Sequence, residues 1–386
     1  MVFPGTPTRT AHKVPSAPDS IQWLHEPAAL DSWLDRAPAE PLAVDTEFER
    51  VSTFYPIPGL VQLGLGGEFC LVDPSVAEHS AHFRARLTDS AAPKILYAMS
   101  EDLELFRHWL GIEPKGLIDL QIGAALAGAG FSVGYARLVE SLFGEALDKS
   151  ATRSDWLKRP LSDAQQRYAI DDIRFLEPMY RWVLDHLRER GLETALMEES
   201  DRFADSLAAM EDPATHYLKL RGGWALPIPQ QIVLMNLVQW RELEAQRQDR
   251  PRNRVLADAL LIAIAESAPK SLAELSDIQG VPGGVVRRYG ETLLDYVKAG
   301  LSADSSGFEA ITPPLTRDQQ VFFKQLKSPF KKAAQDADIP VELLAPRKRL
   351  EKVVQDRDLA GQAFFHGWRE QILTPVRADI EELLKS

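Results

Sequence analysis

Residues 42–50 read LAVDTEFER, an apolar run of strand type that breaks off into Asp45 and Glu47 with only Thr46 between them. Alternate side chains of a strand share a face, so the two carboxylates lie side by side. Two like charges held close in partial burial repel unless something neutralises them. Hard oxygen ligands suit a divalent cation such as magnesium or manganese. Taken alone, the pair fits a solvated strand end as well, and the rest of the chain has to decide.

Three further apolar runs follow, LVQLGLG (60–66), EFCLVDP (68–74) and KILYAM (94–99), separated by Pro or Gly, and these predict strands. The stretch WLHEPAALDSWLDRA (23–37) reads as a helix ahead of them. From residue 100 the spacing turns helical, with SEDLELFRHWL (100–110), a short strand LIDL (117–120) and several helices to about 207. Residues 21–210 are therefore expected to form a mixed α/β domain. The stretch 211–227, EDPATHYLKLRGGWALP, reads as an irregular linker. Helical regions are expected at 228–300 and 315–386, divided by a Gly-, Ser- and Pro-containing linker at 301–314.

A chain of 386 residues with 45% hydrophobic content has room for two or three soluble domains. The net charge of −12 argues against a nucleic-acid partner only if it is spread evenly, and it is not. The excess lies in residues 1–210 and 301–310, compatible with carboxylates gathered at a metal site and local basic patches further on. A single cysteine, Cys70, excludes an intrachain disulfide and a cysteine-built zinc site and fits a reducing cytoplasm. The first 20 residues lack the apolar core of a signal peptide and read as a flexible leader. No run is long enough to cross a membrane.

Two more acids join the first pair. Asp102 falls in the first turn of the helix expected to start at Ser100, where an acid also simply favours the helix dipole. In RYAIDDIRFLEPMYRWVLDHL (167–187), Ala169, Ile173, Leu176, Tyr180, Val183 and Leu187 trace one apolar stripe. Asp172 lies at the edge of that stripe while Asp171 points almost the opposite way. Tyr168 sits one turn before Asp172 on the same flank, so its hydroxyl can approach whatever Asp172 binds, although helix packing alone also accounts for it.

Four carboxylates with a tyrosine beside the last resemble the ribonuclease D family, in the tyrosine-bearing branch of the DEDD exonuclease superfamily. The motif regions are LAVDTEFERVSTFYPIPGLVQLG (42–64), KILYAMSEDLELF (94–106) and SDWLKRPLSDAQQRYAIDDIRFL (154–176). Residues 228–300 resemble the helicase and ribonuclease D C-terminal (HRDC) module through WRELEAQRQDRPRNRVLADALLIAIA and RRYG, and 315–386 a divergent second copy through LLAPRKRLEKVV and GWREQIL. Tyr97 departs from the pattern, standing where many relatives have histidine.

The resemblance implies an α/β fold class: an RNase H-like mixed-sheet exonuclease domain followed by two all-α HRDC-like domains. It further implies hydrolysis of phosphodiesters from the 3′ end by two divalent cations, Mg²⁺ or Mn²⁺. Such a pair, about 4 Å apart, needs several anionic oxygens around it. Asp45, Glu47, Asp102 and Asp172 are the expected ligands, Asp45 bridging, with Tyr168 holding the attacking water. The implied partner is RNA, with tRNA precursors carrying 3′ extensions as the substrate class and nucleoside 5′-monophosphates as product; the sequence leaves the oligomeric state open, with a monomer favoured.

Substrate contacts stay open between two readings. Phe48 either stacks on the terminal base or fills the core. Trp156 and Arg159 either contact the substrate or are a structural tryptophan and its neighbouring arginine. Arg247, Arg250, Arg252 and Arg254 either meet phosphates or form a solvated charged turn; Arg347, Lys348 and Arg349 read as solvated. None of the eight histidines forms an H-x-H or H-E-x-x-H pattern, and there is no Gly-rich phosphate loop. Two other functions compete: a 3′-to-5′ DNA exonuclease and a catalytically silent RNA-binding scaffold. An intact acid set argues against the second.

Overall fold

The apolar run Leu42–Val44 lies at the centre of a six-stranded sheet in a computed structural model that describes residues 14–18 and 20–385. Of the leader expected at 1–20, residues 1–13 and 19 lie outside the described residues. The strands are β1 (Gln22–Leu24), β2 (Leu42–Glu49), β3 (Ile57–Leu65), β4 (Glu68–Val72), β5 (Lys94–Leu96) and β6 (Leu117–Asp119). Their order is β1-β4-β3-β2-β5-β6, with β2–β3–β4 antiparallel and the pairs β1–β4, β2–β5 and β5–β6 parallel. The sheet is therefore mixed, as the resemblance implied.

Helices α1 (Pro27–Leu34), α2 (Pro74–His79), α3 (Ala81–Thr88), α4 (Ser100–Leu110), α5 (Leu120–Leu126), α6 (Tyr135–Phe143), α7 (Asp163–Arg174), α8 (Leu176–Glu189) and α9 (Glu193–Met210) belong to the same half of the chain. α4 ends on Gly111 in the left-handed conformation at φ 62°, a position that favours glycine. α7 begins with a capping box: the Ser162 hydroxyl accepts from the Gln165 amide and the Gln165 side chain accepts from the Ser162 amide.

The structure corrects three local expectations. The stretch at 23–37 opens as strand β1 and becomes helical only at Pro27, which occupies the first helical turn. The stripe over 167–187 is carried by two helices, broken at Phe175. Pro178 is the physical reason, since it has no N–H to give the Arg174 carbonyl and its ring crowds that carbonyl. Residues 211–227 hold two 3₁₀ helices, Pro213–Lys219 and Arg221–Ala225, with Tyr217 and Leu220 buried.

Two compact units emerge from the contacts. The first comprises residues up to Glu49, Ile57–Ala204 and Leu315–Ser386. Its last part holds α15 (Arg317–Asp336), α16 (Val341–Leu344), α17 (Arg347–Asp356), α18 (Trp368–Leu373) and α19 (Arg377–Lys385), numbered after the α-helices of the second unit. Ala334, Ile339, Leu343, Leu344 and Trp368 share one core with Leu126 of α5, Leu187 of α8, Leu192 just before α9 and Leu196 of α9. The region 315–386 clusters with this unit and also holds a core of its own, including Phe322, Leu326, Phe330, Leu350, Val353 and Ile380.

The second unit comprises Arg50–Pro56 and Asp205–Pro314. Its helices are α10 (Ile228–Arg247), α11 (Arg252–Val255), α12 (Asp258–Ser267), α13 (Leu272–Asp277) and α14 (Gly283–Leu301), around a core that includes Leu237, Leu261, Ile264, Leu293 and Val297. Beside that core the fully buried Glu242 accepts from Arg241 and Arg252 and lies 3.1 Å from His216. Among the described residues, no helix is long and apolar enough to cross a membrane.

Candidate active site

β2 delivers Asp45 and Glu47 to one face of the sheet, and α7 delivers Asp172 to meet them. One carboxylate oxygen from each lies within 4.8 Å of the other two. Asp102, in the first turn of α4, accepts a 2.5 Å hydrogen bond from the Thr46 hydroxyl, the residue between the two β2 acids. Its charge acts on Asp45, Glu47 and Asp172 alike, so the fourth acid stands beside the cluster of three. Tyr168 hydrogen-bonds to Asp172 from one turn earlier on α7.

The electrostatics follow from burial and mutual repulsion. Burial first, then the charges of Asp102, Asp172 and Glu47, hold the Asp45 carboxyl well above its usual range. Burial and then Asp172 and Asp102 push Glu47 to about 9. Asp102 and Asp172 rise to about 7, mainly through burial, against the opposing hydrogen bonds from Thr46 and Tyr168 respectively. Burial and the Asp172 charge also push the Tyr168 phenol above the ordinary tyrosine range. Such a set of carboxylates binds either protons or cations, and its all-oxygen donors fit hard divalent ions.

Supporting residues surround the acids. Gln62 is the cross-strand partner of Asp45; it is fully buried and donates to an Asp45 oxygen at 3.3 Å. A register shift between Glu47 and Phe48 leaves Gly59 unpaired on β3, a bulge beside the site. A Cβ at Gly59 would come within 2.9 Å of the Trp156 Cβ and 3.0 Å of its carbonyl, so only glycine admits this approach. Trp156, 3% exposed, packs against Tyr168 with ring centroids 5.9 Å apart. Arg159 is engaged by the protein: it donates to Asp73 at 2.7 Å, to the Gly59 carbonyl at 2.6 Å and to the Trp156 carbonyl at 2.9 Å. Phe48 is half-buried at the end of β2.

The structure thus gathers Asp45, Glu47, Asp102, Asp172 and Tyr168, and sets Trp156 against the tyrosine. Arg250, Arg252 and Arg254 lie in the second unit. There Arg252 is ion-paired with Glu242 and stacks 4.5 Å from the Phe54 ring, whereas Arg250 and Arg254 are exposed. Arg247 pairs with Glu244 at 2.7 Å. Thr46 and Gln62 are site residues that sequence reasoning missed. Thr46 carried a signal, since it lies between the two β2 acids; Gln62 depends on a strand register that the sequence does not print. GFSVG at 130–134 has the G-x-S-x-G spelling of a hydrolase nucleophile elbow, with Ser132 at φ 53°. That motif acts at a strand-to-helix turn, and here it follows α5 and leads into α6, so the context for a serine nucleophile is missing.

The chain is similar to known proteins along nearly its whole length. The 3′-5′ exonuclease family matches residues 21–187 and the HRDC domain family matches 230–297. Ribonuclease D of Pseudomonas paraeruginosa is 36% identical over 88% of this chain and 90% of its own length. Ribonuclease D of Escherichia coli K12 is 33% identical over 87% of this chain and 90% of its own. The crystal structure of Escherichia coli RNase D, described as an exoribonuclease involved in structured RNA processing, superposes with a TM-score of 0.83 at 30% identity, covering 95% of this chain and 99% of that one. With its mixed sheet, its gathered acids and relatives of this similarity along nearly its whole length, the chain belongs to the ribonuclease D family of 3′–5′ exoribonucleases.

Proposed function

We propose that this chain trims the 3′ ends of structured RNA, tRNA precursors with 3′ extensions being the substrate class, by hydrolysis assisted by two divalent cations, and releases nucleoside 5′-monophosphates. The observation that carries the reading is the convergence of Asp45, Glu47 and Asp172 within 4.8 Å, with Asp102 and Tyr168 beside them. Asp45, Glu47, Asp102 and Asp172 would hold the two Mg²⁺ or Mn²⁺ ions between them. When bound, such cations lower the pKa of water and offset the charge on the departing 3′ oxygen.

The chain's own residues do the rest. Tyr168, its phenol held protonated, orients the attacking water by hydrogen bonding and does not act as a base. Trp156 keeps the tyrosine ring in place by packing against it. Water adds to phosphorus, the bond to the 3′ oxygen breaks, and that oxygen leaves with a proton. The exposed Arg250 and Arg254 offer phosphate contacts on the HRDC side, and Phe48 offers an aromatic edge at the end of β2. A monomeric enzyme working in the cytoplasm completes the proposal.

The test is to incubate the purified protein with 3′-extended RNA and matched DNA, in Mn²⁺, in Mg²⁺ or with chelator. Mononucleotide release from RNA alone, abolished by chelator and by Asp45→Asn, is the expected result. Equal digestion of DNA would make the enzyme a DNA exonuclease, and tight RNA binding without cleavage would make it a scaffold.

A further inference from the structure

Asp119 closes β6 and is 1% exposed, yet nothing in the catalytic set explains it. Part of its role is local: Oδ1 accepts from the Gln121 amide at 2.8 Å and from the Ile122 amide at 3.4 Å, which caps α5. The remainder is not local. The same carboxylate accepts from the Ala98 amide at Oδ1 and from the Met99 amide at Oδ2, both at 3.1 Å. Those amides form the turn between β5 and α4, and α4 carries Asp102 in its first turn.

That turn cannot hold itself. Ala98 adopts the left-handed conformation at φ 57°, which a residue with a Cβ enters only when its surroundings impose it. Met99 stands at the N-cap of α4 with no side-chain oxygen to give the helix, and it is fully buried, so its amide has no access to solvent. The missing partner arrives from another strand, as Asp119. A second bond fixes Asp119 in turn, since its own amide donates to the Ser200 hydroxyl of α9 at 3.1 Å.

We propose that Asp119 is a positioning residue for the reaction: by holding the Ala98–Met99 turn it fixes the start of α4 and hence the place of Asp102 against Thr46 and Asp45. The inference rests on the reading of Asp102 as a metal ligand. Displacement of a ligand by a fraction of an ångström weakens both cation binding and turnover, whereas loss of a helix cap lowers stability alone.

Asp119→Asn separates the two roles. Its side-chain oxygen can stay at the Oδ1 position, keeping the α5 cap and the Ala98 bond, while its NH₂ replaces Oδ2 and meets the Met99 N–H donor to donor. In the full chain without metal, hydrogen exchange in a peptide spanning residues 97–103 should become faster. The Mn²⁺ concentration that half-saturates the metal-induced rise in Tm should increase roughly 10- to 100-fold, the scale of a lost residue behind a metal ligand. On 3′-extended RNA, kcat should fall with KM near the wild-type value.

Wild-type kcat and Mn²⁺ dependence in Asp119→Asn overturn the proposal, whatever happens to Tm, because only the cap would then be at stake. Asp102→Asn is the independent control. If that variant keeps full activity, the reading of Asp102 fails, whereas an inactive Asp102→Asn beside an unaffected Asp119→Asn defeats this inference alone.

Discussion

Tyr168 donates to Asp172, and burial first, then the adjoining Asp172 carboxylate, keeps its phenol protonated through the neutral range. Tyr168→Phe should therefore lower kcat by roughly 10²-fold, the scale of a group that places and hydrogen-bonds a reacting water. Mn²⁺ affinity, measured by calorimetry, should stay near wild type; unchanged turnover would remove Tyr168 from the mechanism. The acids themselves predict a stability profile. Without cations, Asp102 and Asp172 keep protons up to about 7 and Glu47 up to about 9, whereas in the unfolded chain all three ionise near 4. The folded state then binds more protons than the unfolded one, so the stability these groups contribute is present below about 4 and is lost as pH rises through 7 and 9. Chelator-treated protein should show a Tm that declines as pH rises from about 4 to about 9, and saturating Mn²⁺ should flatten the decline. A flat profile in chelator would contradict the burial of these acids.

At the scale of elements, the site depends on the bulge that leaves Gly59 unpaired on β3. The Gly59 carbonyl accepts from Arg159, and its bare Cα admits the Trp156 backbone, so one strand irregularity seats the loop that packs on Tyr168. Gly59→Ala should destabilise the protein by about 1–3 kcal/mol in denaturant titration, the range for forcing atoms into a packed core. It should also slow turnover, because the displaced Trp156 no longer supports the tyrosine; stability loss with unaltered kcat would separate Trp156 from the site. How much of this could be read beforehand depends on how local each signal is. Asp45 and Glu47 were legible from strand alternation, and Asp172 and Tyr168 from helical periodicity, because both patterns are intrinsic to a short segment. The break at Phe175 was legible in principle from Pro178, but the apolar stripe runs through it unbroken. β1 was hidden because a three-residue strand has too few positions to show alternation. Gln62 and Asp119 act across strands and turns remote in sequence, so nothing near them spells out their partners.

On the scale of the molecule, the last helical region is joined to the nuclease core by a buried ionic cluster as well as by apolar packing. Glu199 on α9 is 1% exposed and accepts from the Trp368 indole at 2.9 Å, from Arg369 at 2.6 Å and from Arg202. Burial alone would raise its pKa, but the hydrogen bonds from Arg202 and Arg369 outweigh it and hold the carboxyl at about 2. Arg369 also donates twice to the Leu343 carbonyl, at 3.2 and 2.8 Å, so one guanidinium ties α9, α16 and α18 together. Ser200, next along α9, receives the amide of Asp119, which places this junction one residue from the support of α4. Replacing one partner of a buried ion pair leaves the other charge without compensation, a loss of about 3–5 kcal/mol. Arg369→Met should therefore lower stability by that order in denaturant titration, with Arg202 retaining part of the pairing. The double variant Arg369→Met with Glu199→Gln should recover a share of the loss, because no buried charge is then left unpaired. If Arg369→Met unfolded at the wild-type midpoint, the ionic cluster would contribute nothing, and apolar packing of Trp368, Leu343 and Leu344 alone would hold the region in place.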